Sequence, residues 1–246
     1  MTDTLDRRDH GTDSPWMKPR FIVAAVVVAL IVVLGVALTI LGPGGADKPA
    51  APPMTKPSAA TTENSGSDSA CGLPAGDQTV PRVAPANTSW QLVGTMAAPT
   101  APSIYGPGTS TNAIPTCFAH SPTGALYAAV NFIASGTAHP SAEVLRVLAA
   151  DAAVREQAIK DAEAAGSTPQ VGQTTRVQVS GFRFLDATQD QASIQVVLRN
   201  EVGGLTAVTE NMVWQAGDWK FSVPLDPAGL TQQVPDLSGF AAWSGA

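Results

Sequence analysis

The sequence has few charged residues, few cysteines and few histidines, and each shortage argues against a class of function. Charged residues make up 14% of the 246-residue chain, against roughly 25% in a typical soluble domain. The two Cys and three His stand at none of the spacings that bind zinc, and no Asp-rich calcium loop is present. No Gly-rich phosphate loop follows a strand pattern. We therefore expect no metal site and no cofactor.

Basic residues are also scarce. The chain has 14 Lys and Arg against 20 Asp and Glu, and the acidic excess continues beyond Cys71. Binding to a phosphate backbone depends on many Lys and Arg contacts, and the sequence has no basic cluster. Direct nucleic-acid binding is therefore not expected.

One long apolar run, residues 21–41, contains no charge and would span about 31 Å as a helix. This length predicts a single transmembrane helix. A cleaved signal peptide is the alternative, although its apolar region is usually about 7–15 residues. Four basic residues precede the run and two follow it: Arg7, Arg8, Lys18, Arg20, Lys48 and Lys56. This bias places the N-terminus in the cytoplasm and the C-terminal domain outside the cell membrane.

The composition divides the chain into five segments. These are a cytoplasmic tail (1–20), the transmembrane helix (21–41), a disordered Pro/Ala/Ser/Thr-rich linker (42–70), an irregular extension (71–116) and an α+β extracytoplasmic domain (117–246). The linker has no hydrophobic periodicity and could reach roughly 90 Å if extended. We expect it to hold the domain away from the lipid bilayer.

Cys71 and Cys117 both follow the predicted span. A pair of cysteines in an oxidising compartment is most simply a disulfide, and this one would tie the start of the domain to the entrance of its first helix. The chain-entropy model gives at most about 4 kcal/mol for a loop of this length. Two free thiols are the alternative.

Helical signals follow the extension, in which a short strand is expected at 90–94. Ser121-Pro122 is typical of an N-cap followed by proline at the first helical position, and Gly136 ends the apolar periodicity. A second helix is expected to begin at Ser141 and a third at Asp151.

Beyond Thr174 the apolar period changes from helical spacing to two. The alternation reverses phase at Gly181, as a β-bulge would produce. Further strands are expected around 194–198, 205–215 and 219–223, the last reached through a turn at Gly217-Asp218. Three helices followed by these strands predict an α+β fold with a curved four-stranded antiparallel sheet.

Two segments carry a resemblance to known proteins: VWQAGDWKFSVPL and CFAHSPTGALYAAVNF. With the segment order above, the chain resembles bitopic assembly proteins of type IV secretion and Gram-positive conjugation systems. Those proteins have an outer domain of nuclear-transport-factor-2-like (cystatin-like) fold. The second segment is similar to uncharacterised membrane proteins of actinobacterial integrative elements. The resemblance implies a non-enzymatic scaffold that contacts other transfer-complex subunits or its own copies.

The candidate catalytic group is His120-Ser121, but a nucleophilic serine needs a base and a third orienting group, which sequence adjacency does not supply. We therefore expect no enzymatic activity and a structural role for both residues. A second hypothesis is a small-ligand-binding module for a lipid or a cell-wall fragment. A third is an enzyme, or an immunity-type inhibitor of one. The candidate pocket residues are Phe182, Phe184, Trp214, Trp219, Phe221 and His120.

Overall fold

A computed structural model describes residues 68–166, 176–226 and 228–245. The predicted tail (1–20) and transmembrane helix (21–41) lie outside these residues, as does the linker except for residues 68–70. Within the described ranges, no helix combines the length and the apolar content needed to cross a bilayer.

Three α-helices and ten β-strands form within the described residues. The helices are α1 (Pro122–Ser135), α2 (Ser141–Leu148) and α3 (Ala153–Ala164). The strands are β1 (Ser89–Val93), β2 (Met96–Thr100), β3 (Thr109–Thr111), β4 (Ile114–Thr116), β5 (Val177–Ala187), β6 (Gln191–Asn200), β7 (Leu205–Gln215), β8 (Asp218–Phe221), β9 (Thr231–Val234) and β10 (Ala241–Ala242). Helices and antiparallel sheets in one chain confirm the α+β class.

The extension at 71–116 is more regular than the sequence predicts. Strand β1 confirms the strand expected at 90–94, but β1 pairs with β2 and β3 pairs with β4, which gives two antiparallel hairpins. The sequence signal for β2 and β4 is weak because each strand contains a proline, Pro99 or Pro115. Proline lacks the backbone donor of a sheet ladder and lowers strand propensity.

The extension is fixed to the domain by one covalent link and by buried polar contacts. Cys71 and Cys117 form the expected disulfide, with a Cα–Cα distance of 6.2 Å. On α1, the Asn131 side-chain amide donates to the carbonyl of Pro99 at 3.0 Å. The Tyr127 hydroxyl lies 2.6 Å from the Thr88 hydroxyl. The hairpins therefore pack directly on α1.

The start and the end of α1 follow the sequence prediction. The backbone N–H of Gly124 donates to the Ser121 hydroxyl at 3.1 Å, and Pro122 occupies the first turn. At the other end, the N–H of Gly136 donates to the carbonyl of Phe132. Helix α2 begins at Ser141 as expected, whereas α3 begins at Ala153, two residues after the predicted start.

The main sheet has six strands, so the four-stranded prediction is corrected. Its order is β10-β5-β6-β7-β8, and β9 also pairs with β7. Strand β8 pairs with the end of β7, whereas β9 pairs with its beginning, at 205–208. The sequence gives no signal for β9 because its residues, TQQV, lack apolar alternation, and β10 has only two residues. The hairpin turn before β8 uses Ala216 and Gly217, both with positive φ, and Asp218 is the first strand residue.

Strand β5 contains the predicted bulge. Its register against β6 shifts between Val179 and Gly181, and a second shift occurs between Phe184 and Asp186. Gly181 pairs with Ala242 of β10, and a Cβ on Gly181 would lie 2.8 Å from the carbonyl oxygen of Ala241. Glycine at this position therefore permits the close approach of the C-terminal segment.

A side-chain amide joins β5 to the N-terminal hairpin. The backbone N–H of Ala97 donates to Oε1 of Gln178 at 2.9 Å, and Nε2 of Gln178 donates to the carbonyl of Thr95 at 3.0 Å. The Gln178 amide thus offers the hairpin one acceptor and one donor, as a peptide group would.

The sheet is covered on both faces. On one face, α1 and the N-terminal hairpins pack on a large core that includes Phe118, Leu126, Phe182, Trp219 and Trp243. On the other face a smaller cluster is covered by the C-terminal segment. Its members are Val197, Leu205, Ala207, Val234, Leu237 and Phe240. Strand β9 and the residues after it therefore complete the second face.

The Asp218 carboxylate holds the entrance of α1 against β8. It accepts the backbone N–H groups of Cys117 at 3.1 Å, Phe118 at 2.9 Å and Trp219 at 2.9 Å. The Lys220 ammonium lies 3.0 Å away and also donates to the carbonyl of Val147, near the end of α2. A buried charge is tolerated when hydrogen bonds and a counter-charge surround it.

We expect Asp218→Asn to lower the free energy of unfolding by about 2–4 kcal/mol, because an amide nitrogen would replace one acceptor oxygen and Lys220 would lose its partner. Urea denaturation followed by circular dichroism measures the change. Glu201→Gln is the matched control, because the Glu201 side chain is 53% exposed and its ion pair with Arg176 spans 3.9 Å. We expect the control to change stability by less than about 0.5 kcal/mol. Equal effects of the two variants would contradict a special role for Asp218.

Candidate functional site

His120 lies in a packed aromatic cluster at the entrance of α1. The residue is 2% exposed, and its ring stacks on Trp214 with a centroid distance of 3.9 Å and an interplanar angle of 6°. Nε2 of His120 lies 2.9 Å from Oδ1 of Asp190. Trp219 meets the edge of Trp214, and its indole N–H donates to the carbonyl of Ala119 at 3.0 Å. Three of the predicted pocket residues therefore pack against one another.

The adjacent Ser121 hydroxyl accepts the backbone N–H of Gly124 as the N-cap of α1. The structural role expected for Ser121 is therefore observed. Among the residues that the structure describes, no three His, Cys, Asp or Glu side chains converge as a metal site requires.

Phe182 and Phe184 lie in a second aromatic group near the C-terminus. Phe182 is fully buried and packs edge-on against Phe184 and Trp243. Trp243 in turn contacts Trp90 of β1. These rings pack against one another between β5, α1 and the N-terminal hairpin.

Phe221 is the one predicted pocket residue on the wall of a large apolar cavity. The cavity has a volume of about 540 Å³ and lies between the three helices and the sheet. Its wall residues include Phe132, Ile133, Val144, Leu145, Val154, Ala158, Val208, Glu210, Phe221, Val223, Leu225 and Leu230. Leu225 is 76% exposed, which places it at the mouth. Of the six predicted pocket residues, Phe221 thus lines this cavity. The other five contact neighbouring aromatic rings: His120, Phe182 and Trp219 are buried, and Phe184 and Trp214 are partly buried. A ligand-binding role for the six stays a prediction.

Glu210 is the notable polar residue of this wall. It lies on β7 and is 5% exposed. Its Oε2 has no hydrogen-bond partner among the described residues. Burial in apolar surroundings raises the pKa of Glu210 from 4.5 to about 8. A buried acid without a partner is costly to the fold and is a frequent mark of a binding or reaction site.

The remaining wall carries little charge. Asp161 of α3 is the other ionisable residue that lines the cavity, and its carboxylate accepts the side-chain amide of Gln157 at 2.8 Å. No Lys, Arg or His is among the described lining residues. The cavity is therefore apolar, with an acidic character.

Glu210 is not among the residues predicted from the sequence, although a signal for it is present. In β7, Glu210 alternates in phase with Val208, Met212 and Trp214, which are large apolar residues. A carboxylic acid on the apolar face of a strand is unusual, because Glu is almost never fully buried without a partner. The position of Glu210 on the apolar face of β7 would have identified it as a candidate site residue. The signal gave no indication of the cavity, which depends on where three helices pack.

A family described as a domain of unknown function (DUF8175) has a model that matches residues 50–242. The match includes every cavity-lining residue named above. No curated protein and no solved structure matches the chain.

The buried acid predicts a pH-dependent stability. The folded-state pKa of Glu210 is above its ordinary value, so the unfolded chain binds fewer protons between these two values and stability falls as pH rises from about 4.5 to about 8. We expect Glu210→Gln to remove this loss, so that the variant gains a few kcal/mol over the wild type between pH 5 and pH 8. Urea midpoints measured across this range test the effect, with Glu201→Gln as the control. Parallel profiles for wild type and Glu210→Gln would contradict it.

Proposed function

The chain belongs to this family of unknown function, and we propose that its extracytoplasmic domain binds an apolar small molecule in the cavity between the helices and the sheet. The observation that carries the proposal is the cavity itself, at about 540 Å³. Ligand sites in proteins are commonly 300–1,000 Å³ in volume, mostly apolar, with a few polar groups that orient the ligand.

The lining supports a ligand site in preference to a packing defect. Core voids larger than a water molecule are few, because interiors are close-packed. This cavity is bounded by side chains from all three helices, from β7 and β8, and from residues 223–225, with a mouth at Leu225. An apolar molecule that filled it would gain about 25 cal/mol for each Å² of apolar surface removed from water.

The arrangement also supports a nuclear-transport-factor-2-like (cystatin-like) fold. In that fold, helices pack on a curved antiparallel sheet and enclose a cone. Here α1 contacts the antiparallel strands β6, β7 and β8, α2 contacts β8, and α3 packs on α2. The cavity lies between these helices and the sheet. Strands β9 and β10 would be additions at the sheet edges.

The location in the cell is part of the proposal. The apolar run at 21–41 and the preceding basic residues favour a single-pass protein of the cell membrane with its N-terminus in the cytoplasm. The Cys71–Cys117 disulfide agrees with an oxidising compartment for the domain. A domain that this linker tethers to the membrane, at a distance of up to roughly 90 Å, can meet a cell-wall fragment or a lipid outside the cytoplasm.

A second proposal is a non-enzymatic assembly component of a conjugative transfer or type IV secretion-like apparatus. The segment that carries this resemblance, VWQAGDWKF, forms the β7–β8 hairpin, in which Trp214 pairs with Trp219. The resemblance itself supports contacts with other transfer-complex subunits or with a second copy. The two proposals are compatible, because a scaffold can also hold a ligand.

Photolabelling tests the ligand-binding proposal. The full-length protein in phosphatidylcholine nanodiscs is irradiated with a small neutral apolar diazirine, and labelled peptides are mapped by mass spectrometry. We expect saturable labelling of the peptides that carry Leu145, Ala158 and Phe221. Ala158→Trp should reduce this labelling at least tenfold, because the indole would fill the cavity beside α3.

Ala164→Trp is the matched control, because Ala164 is exposed on the same helix and is not on the cavity wall. We expect it to retain labelling. Circular dichroism melting verifies that both variants are folded. Labelling that does not saturate, or that is equal in the two variants, would overturn the proposal.

A crosslinking pull-down tests the assembly proposal. The tagged full-length protein is crosslinked in its native membrane, and captured proteins are identified by mass spectrometry. Recovery of a transfer ATPase or other channel subunits is expected. Recovery of the bait alone, at a depth that detects other membrane complexes, would contradict this proposal and leave the ligand-binding proposal unaffected.

A further inference from the structure

The charged residues of the cavity wall determine which ligand charge is electrostatically compatible with the cavity. Two carboxyl groups line the wall, from Asp161 on α3 and Glu210 on β7, and the described lining residues include no cation. Of the two, Glu210 is buried and lacks a partner for Oε2, whereas Asp161 accepts a hydrogen bond from Gln157. Of the two lining carboxyl groups, Glu210 is therefore the one with an oxygen that lacks a hydrogen-bond partner among the described residues.

We infer that the ligand of this cavity is an apolar molecule with a positively charged nitrogen, an amine or a quaternary ammonium, that pairs with the Glu210 carboxylate. This inference rests on the proposed ligand-binding function and specifies its ligand class. The apolar part of the ligand would lie against Phe132, Leu145 and Phe221, toward the exposed Leu225. Ionised fatty acids and anionic headgroups are disfavoured, because their negative charge would meet two lining carboxyl groups and no lining cation.

The buried surroundings of Glu210 favour a charge pair with a ligand cation. A charge pair is strongest where water is excluded and the local dielectric is low. An ionised Glu210 carboxylate has no counter-charge among the described lining residues, and a ligand cation supplies one. A neutral ligand of the same shape would fill the cavity but would leave Glu210 in its protonated form.

The same pairing makes binding depend on pH. In the empty protein, burial raises the pKa of Glu210 to about 8, so the acid is mainly protonated at pH 6 and releases its proton when a cation binds. Among the described residues that line the cavity, Asp161 is the other titratable group, and α1, α2, β8 and residues 223–225 contribute none. Affinity for a permanent cation should therefore rise with pH toward a plateau above the pKa of Glu210.

Three probes of one shape and different charge test the inference. Adamantyltrimethylammonium is a permanent cation, 1-adamantanol is neutral, and adamantane-1-carboxylate is an anion. Each competes with the neutral diazirine for labelling of the full-length protein in phosphatidylcholine nanodiscs, between pH 6 and pH 9. The concentration that halves the labelling of cavity peptides is the readout, and labelling without competitor is recorded at each pH.

We expect the cation to compete at least tenfold better than the alcohol at pH 8, and the anion to compete worst. The half-competition concentration of the cation should fall about ninefold from pH 6 to pH 7 and about fivefold from pH 7 to pH 8, because the ionised fraction of an acid with a pKa of about 8 rises in this proportion. In Glu210→Gln, the cation should lose its advantage and its pH dependence, while the alcohol still competes. Glu201→Gln should behave as the wild type.

Two outcomes separate failure of this inference from failure of the proposed function. If the diazirine does not label the cavity saturably, the ligand-binding function is wrong. If it does, and the cation competes no better than the alcohol, the cationic ligand class is wrong while the function stands. Loss of cation selectivity in Asp161→Asn, with Glu210→Gln unchanged, would also overturn the assignment to Glu210.

Discussion

The fold depends on one buried carboxylate, that of Asp218. It accepts three backbone N–H groups and pairs with Lys220. These donors come from the segment before α1 and from β8. Two of them belong to Cys117 and Phe118, which immediately precede α1, and the others belong to β8. Through Cys117 the same junction carries the disulfide to Cys71. The helical layer, the sheet and the N-terminal extension are therefore joined at one point.

Glu210 lies on the neighbouring strand in an opposite environment. Asp218 is surrounded by donors, whereas Oε2 of Glu210 meets none among the described residues. Burial of an acid without partners disfavours its charged form, so the two side chains differ in what they do for the protein. Asp218 organises the structure. Glu210 lowers the free energy of unfolding near neutral pH, and destabilising residues of this kind are expected at ligand-binding sites.

Several elements could be predicted because their signals are local. Ser121-Pro122 placed the start of α1 through its own capping chemistry, and the phase reversal at Gly181 placed a bulge that the register confirms. The cysteine pair was also inferred correctly. The helix start and the bulge are determined by a few adjacent residues, and the disulfide could be inferred because the chain has only two cysteines.

Other features depend on contacts between distant segments. Strand β9 has no apolar alternation, and it pairs with β7 because the C-terminal segment covers the second face of the sheet. The five strand aromatics predicted for a pocket, Phe182, Phe184, Trp214, Trp219 and Phe221, are a comparable case. Period two places such rings on the inner face of a sheet, but it does not state whether a neighbouring ring or empty volume lies opposite. Trp243 lies against Phe182, whereas Phe221 borders the cavity.

The Gln178 side chain has a consequence for assembly. An open strand edge invites another chain to extend the sheet, and β5 is the long strand next to the sheet boundary. Along β5, Gln178 engages the N-terminal hairpin, the carbonyl of Ser180 accepts the N–H of Trp243, and β10 pairs with residues 181–182. Residues 180–182 of the β5 edge are thus hydrogen-bonded within the protein itself. A protein that docks at residues 180–182 would have to recognise side chains and surface shape, because the backbone of these residues is already engaged.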